Sequence, residues 1–272
     1  MSGARQISAP AAKLTAEQEP FLAVRSLATN YASGYRIEPH RHPWHQFLFA
    51  SAGAMTVSTS RASWMIPTGR AVFIPARSVH AIRMWGLVEM RTLYFSPPLT
   101  AFEDSAQENE CRVVEVAPLL RELILRAVER SGLDSRIAHD VRMIGLLEDE
   151  VKAAMASAND PPLALPLPAD QQALAVAHHV LAQPSHMSVI RASVDELAQQ
   201  HGVARRTLER RFREETGMSF GMWRQKARLL DSIRLLAEGK SVTDAALDSG
   251  YSSVSAFIAA FKSTFGYTPG RM

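Results

Sequence analysis

The chain has 272 residues, of which 47% are hydrophobic and 21% are charged, the composition of an ordinary globular protein. This length favours two domains, and the single cysteine, Cys111, excludes an internal disulfide and fits a reducing cytoplasm. The net charge of +3 is uneven: residues 171–272 hold 13 Lys and Arg against 9 Asp and Glu, whereas residues 1–170 hold 17 against 18. A basic excess in the C-terminal third indicates a nucleic-acid partner.

The first twenty residues, MSGARQISAPAAKLTAEQEP, are small and polar. They lack the apolar run of a signal peptide, so we predict a disordered segment over residues 1–20. No run of about 18 apolar residues occurs in the chain, so we expect no membrane-spanning helix and no membrane partner.

Residues 21–112 are predicted to form strands. The segments QFLFASAGAMTVSTS, ASWMIPTGRAVFIPA and EMRTLYFS are rich in β-branched and aromatic residues, and Gly and Pro separate them. No helical period persists across this region, which favours an antiparallel barrel or sandwich.

Apolar residues recur at helical spacing over residues 113–158, which predicts two helices, the second from about 134 to 157. Asp140, Arg142 and Glu148 are expected to face away from an apolar stripe, which consists of Ile137, Val141, Ile144, Leu147 and Val151. Such a stripe packs on its own domain or pairs with a second copy, so this segment is the candidate for forming a homodimer. Residues 159–170, NDPPLALPLPAD, hold four prolines and are predicted to be a semi-rigid linker.

Residues 171–272 are predicted to form about seven helices. Most of them are short, and a long one runs from about 219 to 238. Two segments repeat at an offset of 48 to 49 residues: SVDELAQQHGVARRTLERRFREETG, 193–217, and SVTDAALDSGYSSVSAFIAAFKSTFG, 241–266. Each holds a capped helix, a Gly-containing turn, a second helix and a final Gly. This pattern predicts a duplicated helix-turn-helix.

The second helix of each repeat is the one that enters a major groove. At 100° per residue, Leu208 and Phe212 face one way in the first repeat. The opposite face is formed by Arg206, Glu209, Arg210 and Arg213, with Arg205 at its edge. We predict that Arg206 and Arg210 contact bases and that Arg205 and Arg213 contact phosphates.

The equivalent face of the second repeat carries one charged side chain, and its residues are Val254, Ser255, Ile258, Ala259 and Lys262. Apolar side chains can meet thymine methyl groups, and Ser255 can meet a phosphate or a base edge. We therefore predict that this helix contributes affinity and positioning more than discrimination. The alternative is that it hardly touches bases.

The duplicated motif, the long middle helix and the terminal FGYTPG resemble the AraC/XylS family of bacterial transcription regulators over about 100 C-terminal residues. The resemblance implies two recognition helices held in successive major grooves, double-stranded promoter DNA as partner, and RNA polymerase as a partner of an activator. One departure is Ala204, which stands where the family usually has a serine cap.

The segment GYRIEPHRHPWHQFLFASAG, 34–53, also has a recognisable spacing, because Gly34, His40, His42, Gln46 and Gly53 match the first cupin motif in position. Residues 69–80 resemble the second cupin motif, with Arg77 in place of a glycine. The resemblance implies a cupin-like sensor domain over residues 21–112 and an α+β multidomain fold. In metal-binding cupins the matching positions, here His40, His42, Gln46 and His80, hold the ion.

Three interpretations of these histidines stay open. Three imidazoles and an amide oxygen can bind Zn²⁺, Ni²⁺ or Fe²⁺, with Gln46 as a weaker ligand than a glutamate. An organic effector held by hydrogen bonds is the second, and packing alone is the third. His45 and Trp44 are expected to point differently from His42, and Trp64 and Trp85 are candidate pocket walls.

The sequence therefore predicts a DNA-binding transcription regulator without enzymatic activity, located in the cytoplasm and responding to a small effector in the barrel. Control of a neighbouring transporter gene is a further guess. The rivals are a metal-dependent oxygenase fused to DNA-binding helices, which the Gln46 replacement disfavours, and a nucleoid-type binder without base preference, which the unequal recognition faces disfavour.

Overall fold

The computed structural model describes residues 20–100, 102, 111–157, 163–182 and 185–271. All of the predicted disordered segment except Pro20 lies outside these residues. The described N-terminal part contains nine strands: β1 (Leu22–Tyr31), β2 (Arg36–His40), β3 (His45–Ser58), β4 (Ala62–Pro67), β5 (Arg70–Ile74), β6 (His80–Phe95), β7 (Arg112–Glu115), β8 (Gly132–Asp134) and β9 (Ala164–Pro166).

These strands form one antiparallel sheet with the order β7-β5-β3-β6-β1-β8. Strand β2 also pairs with β6, and β4 lies between β3 and β9. Period-two alternation gives the sheet two distinct faces. Phe47 and Phe49 point to the outer face, whereas Gln46 and Leu48 point to the inner face. The predicted antiparallel, cupin-like architecture is confirmed.

Two helices, α1 (Pro118–Glu129) and α2 (Ala138–Ser157), cover the part of the outer face that carries Phe47 and Phe49. Leu120 and Ile124 of α1, and Leu147 and Val151 of α2, are buried against the sheet. Only part of the predicted apolar stripe therefore packs against the sheet, because Ile137 and Val141 remain 46% and 47% exposed.

The prediction that Asp140 faces away from the packed side was wrong. Its side chain is 2% exposed, pairs with Arg130 at 2.7 Å and accepts the backbone N–H of Asp134 at 3.1 Å. The carboxylate is buried because it joins the start of α2 to β8 and the end of α1. A buried carboxylate is tolerated when such partners satisfy it.

Two other segments differ from their predicted structure. Residues 112–115 form β7 and pair with β5, and the helix begins only at Pro118, where proline is favoured at the first helical position. The Pro-rich linker contains β9, which extends the sheet edge at β4, and Leu163, Leu165 and Leu167 are buried there. Alternate leucines within a Pro-rich segment favour an edge strand over a free linker.

The C-terminal part is all-helical, as predicted. Its seven helices in the described residues are α3 (Gln171–Ala182), α4 (Met187–Arg191), α5 (Val194–Gln200), α6 (Arg205–Thr216), α7 (Phe220–Ala237), α8 (Val242–Asp248) and α9 (Val254–Phe265). Ser193 and Glu196 form the predicted capping box at α5. Helix α4 was not among the predicted helices. None of the described helices is long and apolar enough to cross a membrane.

The two parts of the chain share one apolar core that runs from the inner sheet face through β9 to α7. The Trp223 indole N–H donates to the carbonyl of Pro166 at 2.7 Å. At the other end of α7, Gly86 has φ +70°, and a Cβ there would lie 2.2 Å from the carbonyl oxygen of Ala237. Only glycine allows this approach of backbone to backbone.

Candidate functional site

Helix α6 presents an arginine-rich surface to solvent. Leu208 and Phe212 are fully buried beneath it. The four arginines predicted to contact DNA are exposed, and Glu209 is half-buried beside them: Arg205, Arg206, Arg210 and Arg213. The predicted division between a packed side and a basic side therefore agrees with the structure. No side-chain bond caps the helix at Ala204, as the sequence predicted.

The exposed arginines differ in their ion pairs. Arg205 pairs with Asp195 of α5 at 2.9 Å, and Arg210 pairs with Glu214 at 2.9 Å. Arg206 and Arg213 have no carboxylate partner among the described residues. Because these ion pairs are exposed, they contribute little to stability, and a phosphate or a base can displace the carboxylates.

Helix α9 buries Phe257 and Phe261 and exposes the other side. Ser255, Ala259 and Lys262 are exposed, whereas Val254 and Ile258 are half-buried. The surface of α9 therefore has the predicted layout with a single positive charge. Helix α7 packs against both α6 and α8, and α8 packs against α9, so α7 fixes the two helix-turn-helix units relative to each other.

A second cluster lies in the N-terminal domain. One nitrogen from each of His40, His42 and His80 lies within 4.8 Å of the others. His42 and His80 are buried, and His40 is half-buried. The strand ends of β2 and β6 place His40 directly opposite His80. The structure thus brings together the three histidines that were predicted from their spacing.

Each of these three rings is oriented by a backbone carbonyl two residues away. The Nδ1 atoms lie 2.9 Å from the Glu38 oxygen for His40, 2.8 Å from the Trp44 oxygen for His42, and 2.9 Å from the Ser78 oxygen for His80. Because a carbonyl only accepts, each Nδ1 donates a proton. In a neutral ring the Nε2 atom then carries the free lone pair.

Burial favours the neutral form of His80 and of His42. It lowers the pKa of His80 to about 4, and the positive charges of His40 and His42 lower it further, whereas the bond to Ser78 opposes the shift. Burial also lowers the pKa of His42. The buried Nε2 of His80 has no hydrogen-bond partner in the described part of the chain. An unpaired buried acceptor of this kind is a favourable metal ligand.

Gln46 completes the cluster. Its side chain is 1% exposed, and its Oε1 lies 3.1 Å from the His42 Nε2. Two lone pairs face each other at that distance, and either a shared cation or the reverse amide orientation removes the conflict. The Gln46 Nε2 donates to the hydroxyl of Tyr94 at 3.4 Å. Sequence reasoning missed Tyr94, because only the register of β3 with β6 places it opposite Gln46.

The remaining aromatic candidates lie elsewhere. His45 stacks on Phe73 at 5.4 Å and accepts the Ala76 N–H at 3.2 Å, so it points away from the cluster as predicted. Trp64 is a buried core residue. Trp85 lies on the outer sheet face, where its indole N–H donates to Thr56 at 2.7 Å.

Two helix-turn-helix units joined by one long helix, attached to a cupin-like domain, define a DNA-binding transcription regulator with an N-terminal ligand-binding domain. Comparison with known families agrees with this class: residues 23–147 match the AraC-like ligand binding domain, and residues 197–272 match a helix-turn-helix domain. The chain belongs to the AraC/XylS family of transcription regulators.

The chain is 30% identical over 237 residues to the HTH-type transcriptional regulator NimR of Escherichia coli K12, an alignment that covers 85% of this chain and 80% of NimR. It is 36% identical over 104 residues to the regulator RipA of Corynebacterium glutamicum, covering 38% of this chain and 30% of RipA. Among solved structures, ToxT from Vibrio cholerae matches with 14% identity and a TM-score of 0.37, covering 91% of this chain and 93% of ToxT.

Proposed function

We propose that this regulator senses its effector through a divalent transition metal held by His40, His42 and His80, with the Gln46 amide oxygen as a fourth ligand. The orientation of the three rings carries this proposal. Each Nδ1–H is held by a carbonyl, so Nε2 is the ring nitrogen that each histidine can offer to a cation. When bound, the metal supplies a Lewis acid to which an effector with oxygen or nitrogen donors can attach.

The other interpretations fit these contacts less well. A purely structural role would leave the buried His80 Nε2 without a partner, which costs free energy without a gain in packing. Oxygenase activity is disfavoured by Gln46, because a neutral amide replaces the anionic ligand of the metal-binding cupins. The relatives named above are transcription regulators.

Metal analysis of the untagged, full-length protein tests the proposal. We expect near-stoichiometric metal in the wild type and its loss in His42→Ala, because two imidazoles and an amide cannot hold the ion tightly. A matched control, His139→Ala, removes an exposed histidine on α2 and should keep the metal. Titration with Co²⁺ adds a spectroscopic measurement of histidine ligation. If the wild type neither retains metal nor binds Co²⁺, an organic effector held by hydrogen bonds is the better interpretation.

DNA recognition by α6 and α9 supplies the output. We propose that Arg206 and Arg210 read bases, that Arg205 and Arg213 hold phosphates, and that α9 contributes Lys262 to a phosphate. The exposure of these side chains supports the assignment. Contact with RNA polymerase, a cytoplasmic location and control of a neighbouring transporter gene stay predictions.

A homodimer through α1 and α2 is the third part of the proposal. Four large apolar side chains on these two helices or directly before α2 are 40% to 50% exposed: Leu119, Ile137, Val141 and Leu146. An apolar surface of this kind is typical of an interface between copies.

Replacing Ile137 and Val141 together with glutamate should give a monomer in light scattering, because two charges would be buried against the partner. Leu87→Glu is the matched control, since Leu87 is 80% exposed on β6 and lies outside the helices. A dimer that persists in the double variant would place the interface elsewhere.

A further inference from the structure

A cleft of about 530 Å³ lies between the two domains. One wall is the outer face of β2, β3, β4 and β6 together with the segment around β9. The other wall is formed by α3 and α7. Apolar side chains from both walls, among them Met65, Leu165, Leu181 and Leu230, line it. Its size and its position at a domain interface are those of small-molecule sites.

This cleft is separate from the histidine cluster. Side chains of β6 alternate between the two faces of the sheet, so His80 points inward, whereas Ala81, Arg83 and Trp85 point outward. Across the sheet, the register aligns Arg83 with Arg36 on β2 and with Thr56 on β3. A ligand in the cleft would therefore meet residues of β6 that the histidine site does not use.

Two arginines, Arg36 and Arg83, and two carboxylates, Glu38 and Asp231, line the cleft. Arg36 and Arg83 lie directly opposite each other on antiparallel strands, an arrangement of like charges that destabilises a sheet. Neither guanidinium has a carboxylate partner within 4 Å in the described part of the chain. The nearby Arg234 is already neutralised, because it pairs with Asp231 at 2.6 Å and with Glu238 at 2.6 Å.

The side chain of Arg83 is held in place by an aromatic ring, but its hydrogen-bonding capacity is not filled. Its guanidinium stacks on the ring of Trp85 at 4.0 Å, while its Nε atom is buried and has no hydrogen-bond partner among the residues that the structure describes. Burial lowers the pKa of Arg83, and the charges of Arg36 and Arg234 lower it further, against the effect of Glu238 and Asp231. An anion beside Arg36 and Arg83 would relieve their repulsion and satisfy the Nε–H.

We propose that the interdomain cleft binds a small organic anion with an apolar body. Its carboxylate, phosphate or sulfonate group would lie against Arg36 and Arg83, and its apolar part would lie between Met65 and Leu230. Such a ligand contacts the sheet and α7 at once, so its binding free energy would favour the docked arrangement of the two domains. Binding in this cleft does not require the metal.

The test uses two fluorescent probes of the same aromatic body on the full-length protein. The anion is 8-anilinonaphthalene-1-sulfonate, and the neutral analogue is N-phenyl-1-naphthylamine. In the double variant Arg36→Gln, Arg83→Gln we expect the anion to bind about tenfold or more weakly, the loss typical of a charged hydrogen bond. The neutral probe should bind as it does to the wild type.

Further variants keep the result interpretable. Arg36→Gln alone changes an exposed side chain, should not affect folding, and should weaken the anion only. Arg36→Lys should retain most of the binding. Arg126→Gln removes an exposed arginine of α1, on the helix-covered side of the sheet, and should leave both probes unchanged. Equal weakening of both probes, an unchanged affinity for the anion, or no binding of the anion to the wild type would overturn the proposal.

Discussion

Arg210→Ala is expected to erase the preference at one base pair of the operator. A bidentate arginine–guanine contact is worth about 1–3 kcal/mol of discrimination, which corresponds to roughly 5- to 150-fold in affinity. Arg210 is exposed on α6, and the one ion pair it makes among the described residues, with Glu214, is itself exposed, so the guanidinium can exchange partners. Selection from a randomised DNA library with full-length protein, followed by anisotropy titrations, measures the effect at each position.

Arg211→Ala is the matched control on the same helix. Arg211 points toward the body of the domain, where it lies 3.5 Å from Asp170 and 3.6 Å from Glu215. Its loss should leave the base preference unchanged.

Lys262→Ala on α9 should weaken binding to all sequences alike and lower the salt slope by about one.

An Arg210→Ala protein that still selects the wild-type operator would show that α6 contacts only the DNA backbone.

Trp223→Ala is expected to destabilise the C-terminal domain by about 3–5 kcal/mol, the range for truncating a buried tryptophan. The side chain is fully buried and packs edge-on against Phe212 of the recognition helix, with ring centroids 5.2 Å apart. It also donates to Pro166 in β9, so its loss removes packing in one domain and a bond to the other. Urea unfolding followed by circular dichroism gives the free energy.

Two further variants separate the causes. Trp223→Phe keeps an aromatic ring but leaves the carbonyl of Pro166 unpaired, so it should cost about 1–3 kcal/mol. Met222→Ala changes the neighbouring, 62% exposed residue and should stay within about 0.5 kcal/mol of wild type. A Trp223→Ala protein as stable as Met222→Ala would mean that the indole is not part of the domain core.

The helix-turn-helix units were predictable because their signals are local. The capping box at Ser193, the glycines that end α6 and α9, and the apolar pairs Leu208–Phe212 and Phe257–Phe261 all depend on residues within one or two helical turns. The histidine cluster was predictable for a different reason. Its spacing matched a known motif, and the strand register then had to bring His80 opposite His40.

The segments that differed from prediction depend on contacts far away in the sequence. Strand β7 follows residues 103–110, which lie outside the described part, and is a strand only because β5 offers it an edge. Strand β9 forms in a Pro-rich segment because β4 has an unpaired edge roughly a hundred residues earlier. Asp140 is buried because Arg130 and the Asp134 N–H satisfy it. None of these partners is visible from local periodicity.

The sequence by itself determined the DNA-binding class of this protein, the arginine face of α6 and the identity of the clustered histidines, since each follows from spacing along one element or from a motif. Only the tertiary structure decided which imidazole nitrogen is free, that Tyr94 meets Gln46, and that Arg36 and Arg83 share a cleft with α7. The physical reason is that hydrogen-bond partners and facing charges are set by strand register and domain docking, which depend on burying apolar surface across the whole chain.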